Sequence, residues 1–121
     1  MAHHFAGRPR ARALFRALVA AAREHGRFTV DLQKTRITFM SRMRFVNLVA
    51  AREHLRVSLI LDRRVASPRF TAIQTFAPRC HMHSFTLRDE GELDAEMRGF
   101  LREAAAVGRQ ERLYAPGGPD A

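Results

Sequence analysis

The order of apolar and polar residues divides the chain into a helical start, a strand-rich middle and a helical end. Over 9–25, Leu14, Phe15, Leu18, Val19 and Ala22 recur at three- and four-residue spacing, so one stripe is apolar while Arg12, Arg16 and Arg23 lie off it. Pro9 suits a first helical position, where its missing N–H has no partner to lose, and Gly26 suits the left-handed residue just past a helix end. The spacing predicts an amphipathic, basic helix over 9–25.

After Gly26 the apolar period drops from 3.6 to 2, which marks a change to strands. Phe28, Val30 and Leu32 alternate with Thr29 and Asp31, and Ile37 and Phe39 with Arg36 and Thr38. The run 45–50 has no clean alternation, so its inward face stays open. Leu55, Val57, Leu59 and Leu61 alternate with His54, Arg56, Ser58 and Ile60 in the clearest strand of all. A loop over 62–69 leads to a shorter strand over 73–76, between Pro68 and Pro78. In the last strand, over 81–87, His81, His83, Phe85 and Leu87 share one side. Asp89 can cap a final helix over 90–107, with Glu92 reaching back as in a capping box. Its stripe is Leu93, Met97, Phe100, Leu101 and Ala104, and Gly108 closes it. The expectation is a single α+β domain over 1–108 and a loose tail over 109–121. Its architecture is a two-layer sandwich: N- and C-terminal helices on one face of a five- or six-stranded, mainly antiparallel sheet, the other face open.

Length and composition narrow this further. A chain of 121 residues, 46% hydrophobic and 27% charged, suits one folded core. Cys80 stands alone, so no disulfide forms within the chain, and no apolar run approaches the ~20 residues of a membrane span. The expectation is a cytoplasmic protein without a membrane role. The net charge of +9 is unevenly spread: +8 over 1–44, +5 over 45–88 and −4 over 89–121. An excess of this kind favours polyanions. A competing reading is compositional, because Lys34 is the only lysine and arginine fills every other basic position.

Strand parity gives the charge a place. If Ile37, Phe39, Val57 and Leu59 face the helices, then Arg36, Thr38, Arg56 and Ser58 face away, joined by Ser84, Thr86 and Arg88. Lys34, in the turn before Arg36, offers a compact ammonium beside planar guanidinium groups. Arginines and hydroxyls on a sheet suit phosphate contacts, so Lys34, Arg36, Arg56 and Arg88 are the candidate polyanion-binding residues. Only Phe76 offers an outward aromatic, with Tyr114 in the tail, so base stacking is not expected. The alternative is a protein-interaction or self-associating domain whose open face includes Ile60, Met82, Val46 and Leu48.

Several segments together resemble a known family: His3-His4-Phe5-Ala6-Gly7-Arg8-Pro9, Lys34-Thr35-Arg36-Ile37-Thr38-Phe39, Met43-Arg44-Phe45, His83-Ser84-Phe85-Thr86-Leu87, and Leu93-Asp94-Ala95-Glu96 through Leu101-Arg102-Glu103-Ala104. They are similar to the bacterial family termed domain of unknown function 5655, across nearly the whole of 1–108. The resemblance implies no established activity or cofactor, and it implies that His3 and His4 are native residues. More distantly, the helix, sheet, helix order looks like frataxin-like and YjbR-like two-layer folds. Frataxins are acidic on the first helix where this chain is basic, so the likeness carries no iron-binding role.

Catalytic and metal chemistry finds little footing. His81 and His83 project to one face, as paired imidazole ligands can, but no neighbouring carboxylates complete a set and Cys80 points the other way. Hydrogen-bonded histidines at the sheet are the plainer reading. Cys80 has no identifiable base to activate it. The glycines are isolated and build no phosphate loop, and Asp31, Glu53 and Asp62 sit on different elements. The expectation is a binding module, not an enzyme, with no metal and no cofactor.

Overall fold

The computed structural model describes residues 2–111. A short helix α1 (Ala2–Phe5) precedes α2 (Pro9–Arg23). Six strands follow: β1 (Thr29–Leu32), β2 (Ile37–Met40), β3 (Arg44–Ala50), β4 (Leu55–Leu61), β5 (Ala72–Ala77) and β6 (Cys80–Leu87). A 3-10 turn (Glu90–Glu92) then leads into α3 (Ala95–Gly108). The strands form one antiparallel sheet in the order β1-β2-β3-β4-β6-β5. Both long helices pack on the same face of it, giving the expected α+β layers.

The register stacks buried side chains in rows across the strands. Ile37 faces Leu48, which faces Val57, which faces Phe85; one step along, Phe39, Val46, Leu59 and His83 form a second row. Each of these residues is 5% exposed or less, so they make a continuous inner surface for Leu14, Leu18, Met97 and Leu101 of the helices. Burying one such side chain fully is worth about 1.5–3 kcal/mol, so the rows supply much of the folding drive. The run without clean alternation has a local cause. Met40 faces Arg44 while Phe39 faces Val46, which leaves Phe45 as an extra residue in β3. This bulge buries Phe45 and Val46 in succession and breaks the period of two. Val46 and Leu48, expected on the open face, are therefore core residues, at 2% and 0% exposure.

Three further expectations change. The last helix does not begin at Glu90: the Asp89–Glu92 capping box forms, but it caps only the 3-10 turn. Leu93 leaves helical geometry, and Asp94 starts α3 by accepting a hydrogen bond from the Met97 N–H. Leu32, which alternates with Asp31 in the sequence pattern, is 42% exposed because β1 is an edge strand beyond the reach of the helices. Phe5, ahead of the expected first element, joins the core by packing on Phe15, with ring centroids 5.1 Å apart. The expected tail lies outside the described residues from 112 onward. Its first residue, Arg109, is the α3 C-cap, and its guanidinium donates to the His25 carbonyl.

The segment 62–71 acts as a third piece of the helical layer. Phe70 is buried against His83, Phe85 and Phe100, at centroid distances of 4.8, 6.2 and 5.2 Å. Arg69 fixes the segment to the start of α3, donating to Asp94 at 2.7 Å, to Glu96 at 3.0 Å and to the Glu92 carbonyl at 2.6 Å. Its guanidinium holds the Asp94 carboxyl below the usual carboxylate range.

Gly108 is required by close packing, since a Cβ there would sit 2.3 Å from the Phe45 ring. Gly99, on the same helix, has nothing within 4 Å of that position. Gly108→Ala is expected to lower stability by about 1–3 kcal/mol through overpacking. Gly99→Ala is expected to raise it by about 0.5–1 kcal/mol through helix propensity. Urea unfolding of the two variants reads the opposite signs directly.

Candidate polyanion-binding face

Because the rows above are committed to the core, the intervening residues form the opposite face. Across it run Asp31, Thr38, Asn47, Ser58, Ser84 and Ala72. A neighbouring row carries Val49, Arg56 and Thr86, and another carries Ile60, Met82 and Gln74. Ser58 and Ser84 share a hydrogen bond at 3.0 Å, which fixes their hydroxyls side by side. The face is concave at its centre. A groove of about 400 Å³ is lined by Asn47, Arg56, Ser58, Thr71, Ser84 and Thr86, with no carboxylate among its described lining residues.

The four candidate residues fall at one end of this face. Lys34 and Arg36 stand just ahead of β2, Arg56 follows the first residue of β4, and Arg88 follows β6. Pairing carries this end across the sheet, since Ile37 faces Leu48, Arg56 faces both Val49 and Thr86, and Leu55 faces Leu87. At a strand spacing of about 4.8 Å, the backbone at Arg36 lies ~10 Å from that at Arg56, two strands away. All four are exposed, and none forms an ion pair among the described residues. The ion pairs instead use Arg63, Arg69, Arg79, Arg98 and Arg109. The carboxylates of α3 thus bind the 62–71 segment through Arg63–Glu103 and the Arg69 pairs, leaving the sheet's arginines alone.

Two further groups strengthen this end. Arg52, in the β3–β4 turn and not singled out from sequence, is exposed beside Glu53. Helix α2 also begins here: Arg8 donates to the Ala50 carbonyl and Arg10 to the Arg88 carbonyl. Its first turn holds no acid and no side-chain cap, although the acidic 3-10 turn packs close to it. Three acids stand beside Arg88: Asp89 and Glu92 form the capping box of the 3-10 turn, Glu92 also accepts from the Arg88 N–H at 2.6 Å, and Asp89 and Glu90 are exposed. One expected outward residue departs from the pattern. Thr38 is 2% exposed, and its hydroxyl donates to Gln33 Oε1 at 3.4 Å, so it forms floor rather than surface.

The paired histidines are structural. His81 Nε2 donates to the Pro78 carbonyl at 2.9 Å, and its Nδ1 accepts from Thr75 Oγ1 at 2.8 Å. His83 Nδ1 donates to the His81 carbonyl at 3.0 Å, and its Nε2 accepts from the Val65 N–H at 2.9 Å. Every ring nitrogen of the pair is engaged within the protein, and these bonds tie the 62–71 segment to β6. Cys80 lies on the opposite face, half-buried.

A family model described as "Domain of unknown function (DUF5655)" matches residues 1–105. The chain belongs to this family. The resemblance carried by the His3–Pro9, Lys34–Phe39 and His83–Leu87 segments is therefore borne out, and the family description assigns no activity to any of these residues. No curated protein and no solved structure matches the chain.

His83 gives a pH-dependent test of this site's frame. Its burial pushes its pKa below the ordinary imidazole value, because the charged ring would lose solvent, and the positive charges of Arg64 and Arg63 act in the same direction. The unfolded chain takes up a proton near pH 6.5 while the folded chain resists it, so stability is full above that pH and falls as pH drops below it. His83→Phe is expected to cost about 1–3 kcal/mol at pH 7.5 by orphaning the Val65 N–H. The gap between wild type and variant should narrow on acidification to pH 5, as thermal or urea unfolding across that range will read.

Proposed function

We propose that this chain is a small cytoplasmic binding module, not an enzyme, that contacts the phosphate backbone of nucleic acid through its open sheet face. The observation that carries the reading is the gathering of Lys34, Arg36, Arg56 and Arg88 at one end of that face without carboxylate partners. The ion pairs of the described residues lie instead mainly around 62–71 and α3. The hydroxyl-lined groove beside Arg56 adds neutral donors of the kind that bond phosphate oxygens.

The face also dictates a mode of binding. Phe76, the one large exposed aromatic among the described residues, sits at 58% exposure on edge strand β5, away from the arginines. Among the described residues bases therefore find no stacking platform beside these arginines, and recognition rests on backbone charge with little sequence preference.

Fluorescence anisotropy of labelled DNA and RNA across a salt series tests this. The expected result is a log–log plot of affinity against salt that is linear and steep, with a slope reduced by about 0.7–0.9 for each of Arg36→Gln and Arg56→Gln. Absence of binding at low salt, or binding indifferent to salt, removes the reading. A mass that rises with protein concentration in place of nucleic-acid binding favours self-association.

A further inference from the structure

Next to the groove lies a second concavity that the basic end alone does not account for. It encloses about 160 Å³ and is lined by Gln33, Arg36, Thr38, Arg44, Asn47 and Cys80, with Met43, Val46 and Ile60 as its apolar wall. Thr38 and Asn47 face each other across β2 and β3 and form its floor. Arg36 enters from the start of β2. Arg44 enters from the far end of the same hairpin, placed opposite Met40 on the open face by the Phe45 bulge. Asn47 lines both this cavity and the larger groove, so the two are contiguous.

The chemistry of the lining is one-sided. Two guanidinium groups border one small cavity, and no carboxylate lines it among the described residues. Asp31, which faces Thr38 in register, forms no ion pair with either arginine. The Asn47 amide nitrogen finds only the Met82 thioether, at 3.8 Å, which is a weak acceptor. The Gln33 amide oxygen accepts from Thr38, and its side-chain nitrogen has no hydrogen-bond partner among the described residues. Two guanidinium groups and two amides thus border one space with no carboxylate among its described lining residues, a donor set that complements a tetrahedral oxyanion.

We propose that this cavity is a seat for a phosphate ester group, held by Arg36 and Arg44 from opposite sides and by the Asn47 and Gln33 amides from its floor and wall. The proposal deepens the polyanion reading and rests on it: a phosphate in this seat is contiguous, through Asn47, with further phosphates or sugars along the Arg56 groove. The phosphate has two sources, the end of a chain carrying a terminal monoester or an internal phosphodiester.

The test uses the full chain and three charge-neutralising variants. Arg44→Gln and Arg36→Gln change the seat, and Arg16→Gln removes the same charge from the exposed face of α2. Titration of wild type with inorganic phosphate, followed by amide NMR, is expected to shift the Asn47 and Gln33 side-chain signals saturably, and Arg44→Gln is expected to abolish the shift. Binding of a single-stranded octamer is expected to weaken tenfold or more in Arg44→Gln and by no more than about twofold in Arg16→Gln. A 5′-phosphorylated octamer binding more tightly than its 5′-hydroxyl twin identifies the terminal monoester, and equal, Arg44-dependent binding identifies the internal phosphodiester. Equal weakening by Arg44→Gln and Arg16→Gln, with phosphate shifts elsewhere, overturns the seat while the open-face reading stands. No octamer binding at low salt overturns the open-face reading, and a saturable, Arg44-dependent phosphate shift then leaves the seat in place for a small phosphate ester.

Discussion

Everything on the open face follows from the commitment of the inner face. A strand turns alternate side chains to opposite sides, so once Ile37, Leu48, Val57 and Phe85, and then Phe39, Val46, Leu59 and His83, are buried against α2 and α3, the residues between them have one place to go. A slip of one residue would carry Arg56 and Ser58 into the core and expel Val57 and Leu59. The desolvation of one unpaired guanidinium would then outweigh any local gain. The apolar rows therefore hold the arginines in register as firmly as they hold themselves.

A second constraint acts at the ends of the layers. The Phe45 bulge sends one aromatic ring into the space beneath Gly108 and, by the same extra residue, keeps Arg44 on the outer side opposite Met40. The C-terminal carbonyl of α3 accepts hydrogen bonds from the Arg42 and Met43 N–H groups, locking the β2–β3 turn to that helix. At the other edge of the core, Phe70 and Arg69 bring the 62–71 segment over β6, where the two helices leave His83 and Phe85 in need of cover. The packing that closes the core thus also places the cavity's second arginine.

The charge of the chain divides along the same lines. The carboxylates of α3 are drawn to Arg63 and Arg69, on the helical side of the molecule. Those pairs are partly or largely solvent-exposed, and such contacts are worth about 0–1 kcal/mol each, so they position the loop more than they stabilise it. Their larger consequence is what they leave behind: a sheet face on which Lys34, Arg36, Arg56 and Arg88 form no ion pair among the described residues and whose central donors are hydroxyls and amides. The α2 N-terminus opens at the same end without an acid in its first turn, although the acidic 3-10 turn packs close to it.

Much of this was legible in the residues. The period of the apolar positions determined two helices, the strands, the inner members of β2, β4 and β6 and the outward arginines, because periodicity records which side of an element meets the core. His81 and His83 were also placed on the inner side, where their hydrogen bonds now account for them. What local pattern could not supply was anything set by contact between distant segments. The insertion of β6 between β4 and β5, the bulge that buries Phe45 and Val46, and the capture of Phe70 each involve a partner far away in the chain. So does the meeting of Arg36 and Arg44 around one cavity. Sequence order assigns each arginine a side of its strand, and only the pairing of strands and the closure of the core decide which of those side chains share a space.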